Sequence, residues 1–157
     1  MNNKQDIINI LLVSLDDKFA KNVSGMLADN LDMFVADCKE LIEYDLVDSK
    51  NVLKTCGLEY LKKREKKVIK NCASYENTVL TINIDLFKNY SDLFDRSLVV
   101  YLRRKRKAIS KVVNVIGYEN YDEFIKENVD IIVDFDKSSA AMVVEMVLQK
   151  MKEILWK

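Results

Sequence analysis

The chain has no histidine and no proline among its 157 residues, and it contains only three glycines and three cysteines. Without histidine, a Ser-His or Cys-His catalytic pair and any acid–base step by an imidazole are excluded. The glycines lie far apart, so neither a GxGxxG nor a GxxxxGK[ST] phosphate-binding motif is present. Cys38, Cys56 and Cys72 lack CxxC spacing and do not indicate a zinc site. We expect them to be small buried apolar side chains.

Charge of one sign is not in excess, because 25 lysines and arginines balance 25 aspartates and glutamates. A net charge of zero gives no global attraction to nucleic acid or to a membrane surface. The apolar runs are far shorter than the ~20 residues that a membrane-spanning helix needs, and no secretory signal is recognisable. We therefore expect one cytoplasmic domain over residues 1–157, with no membrane contact and no nucleic acid partner.

The strongest local pattern lies near the start of the chain. Residues 7–13 are apolar apart from Asn9, which is typical of a strand buried on both faces of a parallel sheet. A helical pattern of apolar residues follows directly from Phe19. Such a turn from a strand into a helix is a common phosphate site, but this turn has no glycine. It carries Asp16 and Asp17 instead, which we expect to stabilise the start of the helix as cap or favourable charge.

Short apolar runs alternate with amphipathic segments along the rest of the chain, in the order β-α-β-α-α-β-α-β-α-β-α. This alternation predicts a parallel sheet with helices on both faces, which is a three-layer α/β fold. The predicted strands cover residues 7–13, 33–36, 78–84, 97–102 and 130–134, and Ser138 is expected to cap the final helix. Ligands of such sheets bind beyond the carboxyl ends of the strands. The predicted ends are Ser14–Lys18, Asp37–Lys39, Asn83–Asp85 and Arg103–Arg106.

Two charged features need partners in the folded chain. The basic run Arg103–Lys107 is expected at the start of a helix, where positive charge is unfavourable, so we predict a nearby acidic partner in this chain or another. Glu65 falls on the apolar stripe of the helix predicted from Gly57, and a carboxylate there needs a partner. Lys62 and Arg64 are the candidates within the same turn.

The chain contains six strings, Ile8–Val13, Asn22–Leu31, Asp37–Glu43, Gly57–Ile69, Val99–Leu102 and Asp130–Asp134, whose order and spacing resemble the shikimate kinase family of small P-loop kinases. Three of them are similar to strands of the family, namely Ile8–Val13, Val99–Leu102 and Asp130–Asp134. Asp37–Glu43 is similar to the D-[ST]-D-x-x-I-E stretch of the family, and Gly57–Ile69 resembles its G-E-x-x-F-R-x-x-E-x-x-V-L helix. The resemblance covers nearly the whole chain and implies a five-stranded parallel sheet with strand order 2-3-1-4-5.

The phosphate-binding positions of the family are changed in this chain. The resemblance places the loop G-x-x-G-x-G-K-[ST] on residues 14–21. Its glycines become Ser14, Asp17 and Phe19, its lysine becomes Ala20, and the hydroxyl that holds magnesium becomes Lys21. Carboxylates in this turn would repel phosphates where backbone N–H groups should bind them. The glycine-rich substrate loop falls on residues 83–85, and the arginine-rich lid has no counterpart.

The resemblance also implies three remnants of a substrate site. Asp37 matches the aspartate near the metal, and Glu65 matches the helix glutamate. Lys62 matches the arginine that binds the substrate carboxylate, but a lysine loses the planar fork of a guanidinium. The aspartate that binds the shikimate hydroxyls falls on Lys39. From the residues alone, Asp37 and Glu65 are explained more simply as a helix-start carboxylate and a paired structural carboxylate.

Phosphoryl transfer depends on positioned phosphates, a metal and cationic stabilisation of charge. Because the loop, its lysine, the metal hydroxyl and the lid are all changed, our principal hypothesis is a shikimate kinase-like pseudoenzyme. It would have a binding or regulatory role and no cofactor or metal. The sequence does not identify its partner, for which a protein or a second copy of the chain is the candidate.

Two alternatives remain at this stage. The first is an active ATP-dependent kinase, in which Lys18 and Lys21 replace the missing lysine, Asp37 holds magnesium and Lys62 binds the substrate acid. The second is a receiver-like signalling domain, because an acidic pair also follows the first strand of receiver domains. In that fold Asp85 would be the phosphorylated residue.

Overall fold

A computed structural model describes residues 6–45, 49–104 and 118–155, with side chains at 6–45, 57–104 and 121–155. The strands are β1 (Asn9–Ser14), β2 (Phe34–Asp37), β3 (Thr78–Asn83), β4 (Ser97–Arg104) and β5 (Ile131–Phe135). The helices are α1 (Asp17–Leu31), α2 (Cys38–Asp45), α3 (Ser49–Ala73), α4 (Ile84–Tyr90), α5 (Tyr118–Glu127) and α6 (Ala140–Leu155), and Ser91–Leu93 form a 3₁₀ turn.

The strands form one parallel five-stranded sheet in the order β2-β3-β1-β4-β5. This sheet confirms the predicted α/β class and the 2-3-1-4-5 strand order. It also shows that the receiver-like alternative is wrong, because the receiver fold has the order 2-1-3-4-5. Here β3 lies between β2 and β1, and Asp85 lies in the first turn of α4.

β1 is the central strand, and all six of its residues are buried. It pairs with β3 on one side and β4 on the other, which explains the nearly continuous apolar run in the sequence. The one polar exception in that run, Asn9, is held by the backbone through its amide nitrogen, while its Oδ1 is buried without a hydrogen-bond partner among the described residues. Its Nδ2 donates to the carbonyl oxygens of Ala73 at 3.0 Å and Tyr75 at 2.8 Å. Asn9 therefore ties the end of α3 to the sheet.

The helices divide between the two faces of the sheet. α1 and α6 pack on one face, where Leu12 and Val100 contribute to a core with Val147. α2, α3, α4 and α5 contribute to the core on the other face, where Leu11 packs with Ile69. Along β1 and β4, successive buried apolar side chains belong in turn to one cluster and the other, as expected when a parallel sheet is covered on both faces. No helix within the described ranges is long and apolar enough to cross a membrane.

Several element boundaries differ from the sequence prediction. β4 continues through Arg103 and Arg104, which align with Asp134 and Phe135 of β5, so these two arginines do not begin a helix. The rest of the basic run and the predicted helix at 109–116 lie outside the described residues. The cap of α6 is Ser139 rather than Ser138, because the Ser139 Oγ accepts from the N–H of Met142 at 3.3 Å.

Two further predictions concern single residues. Gly57 adopts φ 83° and ψ 171° inside α3, a conformation that favours glycine, and it separates a short helix from a longer one. Cys38 and Cys72 are buried, as predicted, and share the core cluster that includes Ile69. The side chain of Cys56 lies outside the described residues.

Candidate functional site

The turn between β1 and α1 is closed by its own polar groups. The Asp16 Oδ1 accepts from the backbone N–H of Phe19 at 3.0 Å, and the Ser14 Oγ accepts from the N–H of Asp16 at 3.1 Å. The first N–H groups of a helix lack intrahelical partners, which is why helix N-termini bind phosphate. In this chain the Asp16 carboxylate stands where a phosphate would bind, because it accepts a hydrogen bond from one of these N–H groups. Asp16 is therefore the cap that the sequence predicts, and Asp17 is the first helical residue.

The second oxygen of Asp16 binds an arginine from the end of β4. The Arg104 Nη2 lies 2.8 Å from the Asp16 Oδ2, and only 20% and 24% of the two side chains are exposed. The same guanidinium lies over two aromatic rings, 5.0 Å from the Phe135 centroid and 5.6 Å from the Phe19 centroid. One arginine thus joins the first turn of α1 to the ends of β4 and β5.

The two rings below Arg104 stack on each other. The centroids of Phe19 and Phe135 are 4.6 Å apart and the rings are inclined by 13°. Phe19 stands where the resemblance places a glycine of the phosphate loop. Ala20, at the position of the loop lysine, is 2% exposed and belongs to the core. The turn therefore holds an ion pair and an aromatic stack, whereas a phosphate loop would present backbone N–H groups to solvent.

A cluster of charged groups lies beside this turn. Burial raises the pKa of Asp17, the charges of Asp37 and Asp16 raise it further, and Lys39 and Lys21 act in the opposite direction. The Lys21 Nζ lies 2.5 Å from the Glu40 Oε1, and this hydrogen bond raises the pKa of Lys21. The predicted phosphate ligand Lys21 is therefore already paired with a carboxylate. Lys18, the other predicted phosphate ligand, is exposed.

Asp37 is engaged through both of its carboxylate oxygens. It accepts a hydrogen bond from the Thr81 hydroxyl, and its Oδ2 accepts from the backbone N–H of Glu40 at 3.0 Å. These contacts place Asp37 as a cap on the first turn of α2, which agrees with the helix-start interpretation. Within the described residues, no group of three or more metal-ligating carboxylates or thiols is assembled. Each of these oxygens still has a second lone pair, so the two hydrogen bonds fix the orientation of the Asp37 carboxylate without preventing it from binding a metal.

The predicted partners of Glu65 are wrong. Arg64 forms a bidentate contact with Asp45 of α2, at 2.7 and 3.2 Å, and Lys62 is exposed. Glu65 instead accepts a hydrogen bond at 2.7 Å from the hydroxyl of Tyr90, at the end of α4. The error arises because only neighbours within the helical turn were considered, whereas the actual donor comes from a different helix. Glu65 is thus a paired structural carboxylate, as the simpler interpretation has it.

The contact between Tyr90 and Glu65 predicts a loss of stability at alkaline pH. Burial, followed by the hydrogen bond to Glu65, raises the pKa of Tyr90 from 10.0 to about 12. Below pH 10 the phenol of Tyr90 is neutral in both the folded and the unfolded state, and its hydrogen bond makes its full contribution to the free energy of unfolding. Between pH 10 and 12 the unfolded chain ionises first, so the folded state loses about 1 kcal/mol after solvent screening.

Urea unfolding of the wild type and of Tyr90→Phe at pH 8.5 and pH 11.5 measures this loss. The wild type should lose about 1 kcal/mol more than the variant, because other tyrosines titrate equally in both proteins. An equal loss in the two proteins would show that the hydroxyl of Tyr90 is not held by Glu65.

The two described arginines of the basic run, Arg103 and Arg104, both pair with carboxylates. Arg103 forms a bidentate contact with Asp134, at 2.5 and 3.0 Å, and its Nη1 lies 3.4 Å from Asp122. Arg104 pairs with Asp16, as described above. The prediction of an acidic partner is therefore confirmed for the two arginines within β4. All three of these carboxylates, Asp16, Asp122 and Asp134, lie within the chain.

Arg104 and Phe135 are the residues of this site that the sequence does not reveal. The sequence places Arg104 at the start of a helix, and Phe135 lies one residue beyond the predicted end of the last strand. The signal that could have found them is the sheet register. In parallel strands of the predicted order, the ends of β1, β4 and β5 lie side by side, so residues after each strand meet above the first turn of α1.

This chain is similar to known proteins in fold and not in sequence. No family profile and no curated protein sequence matches the chain. The structure is similar to shikimate kinase from Aquifex aeolicus, with a TM-score of 0.73, 17% identity, and coverage of 93% of this chain and 97% of the other. The structure is also similar to shikimate kinase from Acinetobacter baumannii in complex with shikimate, with a TM-score of 0.72, 19% identity and coverage of 96% of each chain.

The fold is that of the P-loop kinases. A more distant structure, the gluconokinase from Sinorhizobium meliloti, is similar with a TM-score of 0.57, 13% identity, and coverage of 97% of this chain and 98% of the other. At these identities the comparisons concern the architecture alone. The chemistry of this chain has to be argued from its own side chains, above all from those at the turn between β1 and α1.

Proposed function

We propose that this protein is a shikimate kinase-like pseudoenzyme, which keeps the fold of the kinases but acts by binding or regulation. The observation that carries this proposal is the ion pair between Asp16 and Arg104 at the N-terminus of α1. A phosphate would have to replace an internal carboxylate that already accepts a helix N–H and already neutralises the arginine.

The electrostatic surroundings support the same conclusion. Asp37 and Asp16 lie near enough to raise the pKa of Asp17, so a polyphosphate entering this turn would meet negative charge. One of the two predicted phosphate-binding lysines is already paired, and the position of the family's lysine holds no cation. Lys21 pairs with Glu40, and Ala20 stands where the family has its phosphate-binding lysine. Phosphoryl transfer with unpositioned phosphates has no means to stabilise the transition state.

One observation favours the alternative of an active kinase. Lys18 lies in the first turn of α1, is exposed and forms no ion pair with any described residue, so its ammonium is free to meet a phosphate there. In that mechanism Asp37 would hold magnesium and Lys62 would bind the substrate acid. ATP and Mg²⁺ would then be the cofactors, and Lys21 would have to leave Glu40.

A turnover assay separates the two functions. Purified protein is incubated with MgATP, with and without shikimate, and ADP is measured over hours. We expect no ADP above the protein-free background. Shikimate-dependent ADP formation that is lost in Lys18→Ala would overturn the proposal and establish the kinase. Lys152→Ala, a charge removal in the last turn of α6, is the matched control because it lies outside the turn.

A further inference from the structure

The outer edge of β2 carries the most exposed apolar residues of the sheet. β2 is an edge strand, paired only with β3. Phe34 is 71% exposed and Val35 is 56% exposed. Edge strands of this kind normally carry charge or proline in order to avoid pairing with other chains. Phe34, Val35 and Ala36 are all apolar, and the one charged residue of β2, Asp37, is held by Thr81 and the N–H of Glu40, so the first three residues of this edge lack that protection.

The backbone of the same strand has hydrogen-bonding groups that face outward. The N–H of Phe34 donates to the carbonyl oxygen of Asn77 at 2.9 Å, on the side of β3. Successive residues of a strand direct their N–H and C=O groups to opposite sides. The N–H and C=O of Val35 therefore point away from β3, to the side where no described strand lies. An extended chain laid along this edge can pair with both groups.

Uncompensated negative charge lies at the start of the strand. Asp29 and Asp32 are exposed at the C-terminal end of α1, where the helix dipole disfavours carboxylates, and the last turn of α1 has no basic residue. Glu76, exposed, lies just before Asn77, which pairs with β2. None of these three carboxylates forms an ion pair with a described residue. A partner for this edge should therefore carry positive charge.

A second copy of the chain does not meet this requirement. Residues 31–38, which contain β2, include Asp32 and Asp37 and no lysine or arginine. Antiparallel pairing of two such edges would bring Asp37, Glu40 and a single cation, Lys39, to each acidic end, and Lys39 already lies close enough to Asp17 to lower the pKa of that carboxyl. The strand is also only four residues long, so an edge-to-edge dimer would bury far less than the roughly 800 Å² per partner of a stable interface.

We propose that the open edge of β2 is a docking site for an extended basic segment of another protein, which pairs with Val35 as an added strand. Its lysines or arginines would approach Asp29, Asp32 and Glu76, and its apolar side chains would cover Phe34 and Val35. This inference goes beyond the proposed function, because the edge is separate from the turn between β1 and α1. Nucleotide binding and peptide binding can therefore succeed or fail independently.

Fluorescence anisotropy with labelled peptides tests the docking site. The probe is an eight-residue peptide in which lysine and valine alternate, and its control has glutamate in place of lysine. We expect saturable binding of the lysine peptide alone, weakened by salt. N-methylation of alternate backbone nitrogens of the peptide should weaken binding about tenfold, because it removes the hydrogen bonds of the added strand.

Variants of the protein locate the binding. Val35→Pro removes the outward N–H without breaking a bond to β3, and it should weaken binding about tenfold. The combined change Asp29→Asn, Asp32→Asn and Glu76→Gln should weaken it by about threefold per charge. Met142→Ala, at an exposed apolar residue of α6, is the control and should bind as the wild type does.

Three results would overturn the docking site: no saturable binding of the lysine peptide, equal binding of the glutamate peptide, or binding that N-methylation leaves unchanged. Concentration-dependent dimerisation that Val35→Pro abolishes, without peptide binding, would identify the occupant as a second copy instead. If Val35→Pro does not fold, the N-methylated peptide on the wild-type protein still decides the question.

Discussion

Phe135→Ala should lower the free energy of unfolding by about 3–5 kcal/mol, the range for large aromatic residues removed from a core. Phe135 is 2% exposed and stacks on Phe19 at 4.6 Å. Its ring also supports the guanidinium of Arg104 at 5.0 Å. The substitution therefore removes buried area, a ring stack and a cation–π contact, and it leaves a cavity below the ion pair.

Urea unfolding of Phe135→Ala measures this loss, and Phe34→Ala is the matched control. Phe34 is the same residue type on a strand of the same sheet, but it is 71% exposed. Its truncation should change the free energy of unfolding by less than about 0.5 kcal/mol. Similar losses in both variants would show that the stack of Phe19 and Phe135 is not a buried part of the core.

Asp16→Ala should lower the free energy of unfolding by about 2 kcal/mol. The loss of the cap at the N–H of Phe19 costs about 1 kcal/mol. The loss of the ion pair adds about 1 kcal/mol, because Arg104 is left partly buried without its carboxylate. Asp16→Asn should cost about half as much, since an asparagine still caps the helix.

Asp16→Ala should also become sensitive to anions, which should raise its melting temperature. Without the carboxylate, the N-terminus of α1 and the guanidinium of Arg104 face an empty position of the kind that binds phosphate. Millimolar pyrophosphate should then raise the melting temperature of Asp16→Ala by about 2–4 °C, relative to sodium chloride of equal ionic strength. The wild type should not respond. Equal responses of the two proteins would show that Asp16 does not exclude phosphate from this turn.

The sequence predicts the layers of the fold because its signals are local. Six apolar residues among positions 7–13 mark β1, and the periodicity after Phe19 marks α1. The order of the strands rests on the resemblance instead, since periodicity does not say which strands are neighbours. Boundaries are less well predicted, as β4 shows: Arg103 and Arg104 carry charge, but they remain in the strand because acidic residues of other elements pair with them.

The candidate site is predicted only where its contacts are short in sequence. Asp16 binds an N–H three residues away, so the capping prediction succeeds. The contact between Asp16 and Arg104 spans 88 residues and depends on the register of three strands. The partner of Glu65 likewise comes from a helix 25 residues further along the chain. Local rules cannot find such partners, and they select Lys62 and Arg64 instead.

The exposed edge of β2 is recognised only when the apolar sequence of residues 33–36 is combined with the strand order of the sheet. The sequence marks residues 33–36 as an apolar run, which suggests burial. The strand order places that run at the border of the sheet, where Phe34 and Val35 have no described strand to cover them. Packing within the chain does not account for apolar residues at an open edge, and their presence there points to a role in binding.

Thermal unfolding with and without millimolar MgATP tests the central claim most directly, which is that the turn between β1 and α1 excludes phosphate. A ligand present at one hundred times its dissociation constant adds about 2.7 kcal/mol of stability, or roughly 5–10 °C for a chain of this size. Because the Asp16 carboxylate already caps the N-terminus of α1 and pairs with Arg104, we predict a shift of less than about 1 °C. A rise of several degrees, lost in Lys18→Ala, would contradict this account and establish a working nucleotide site.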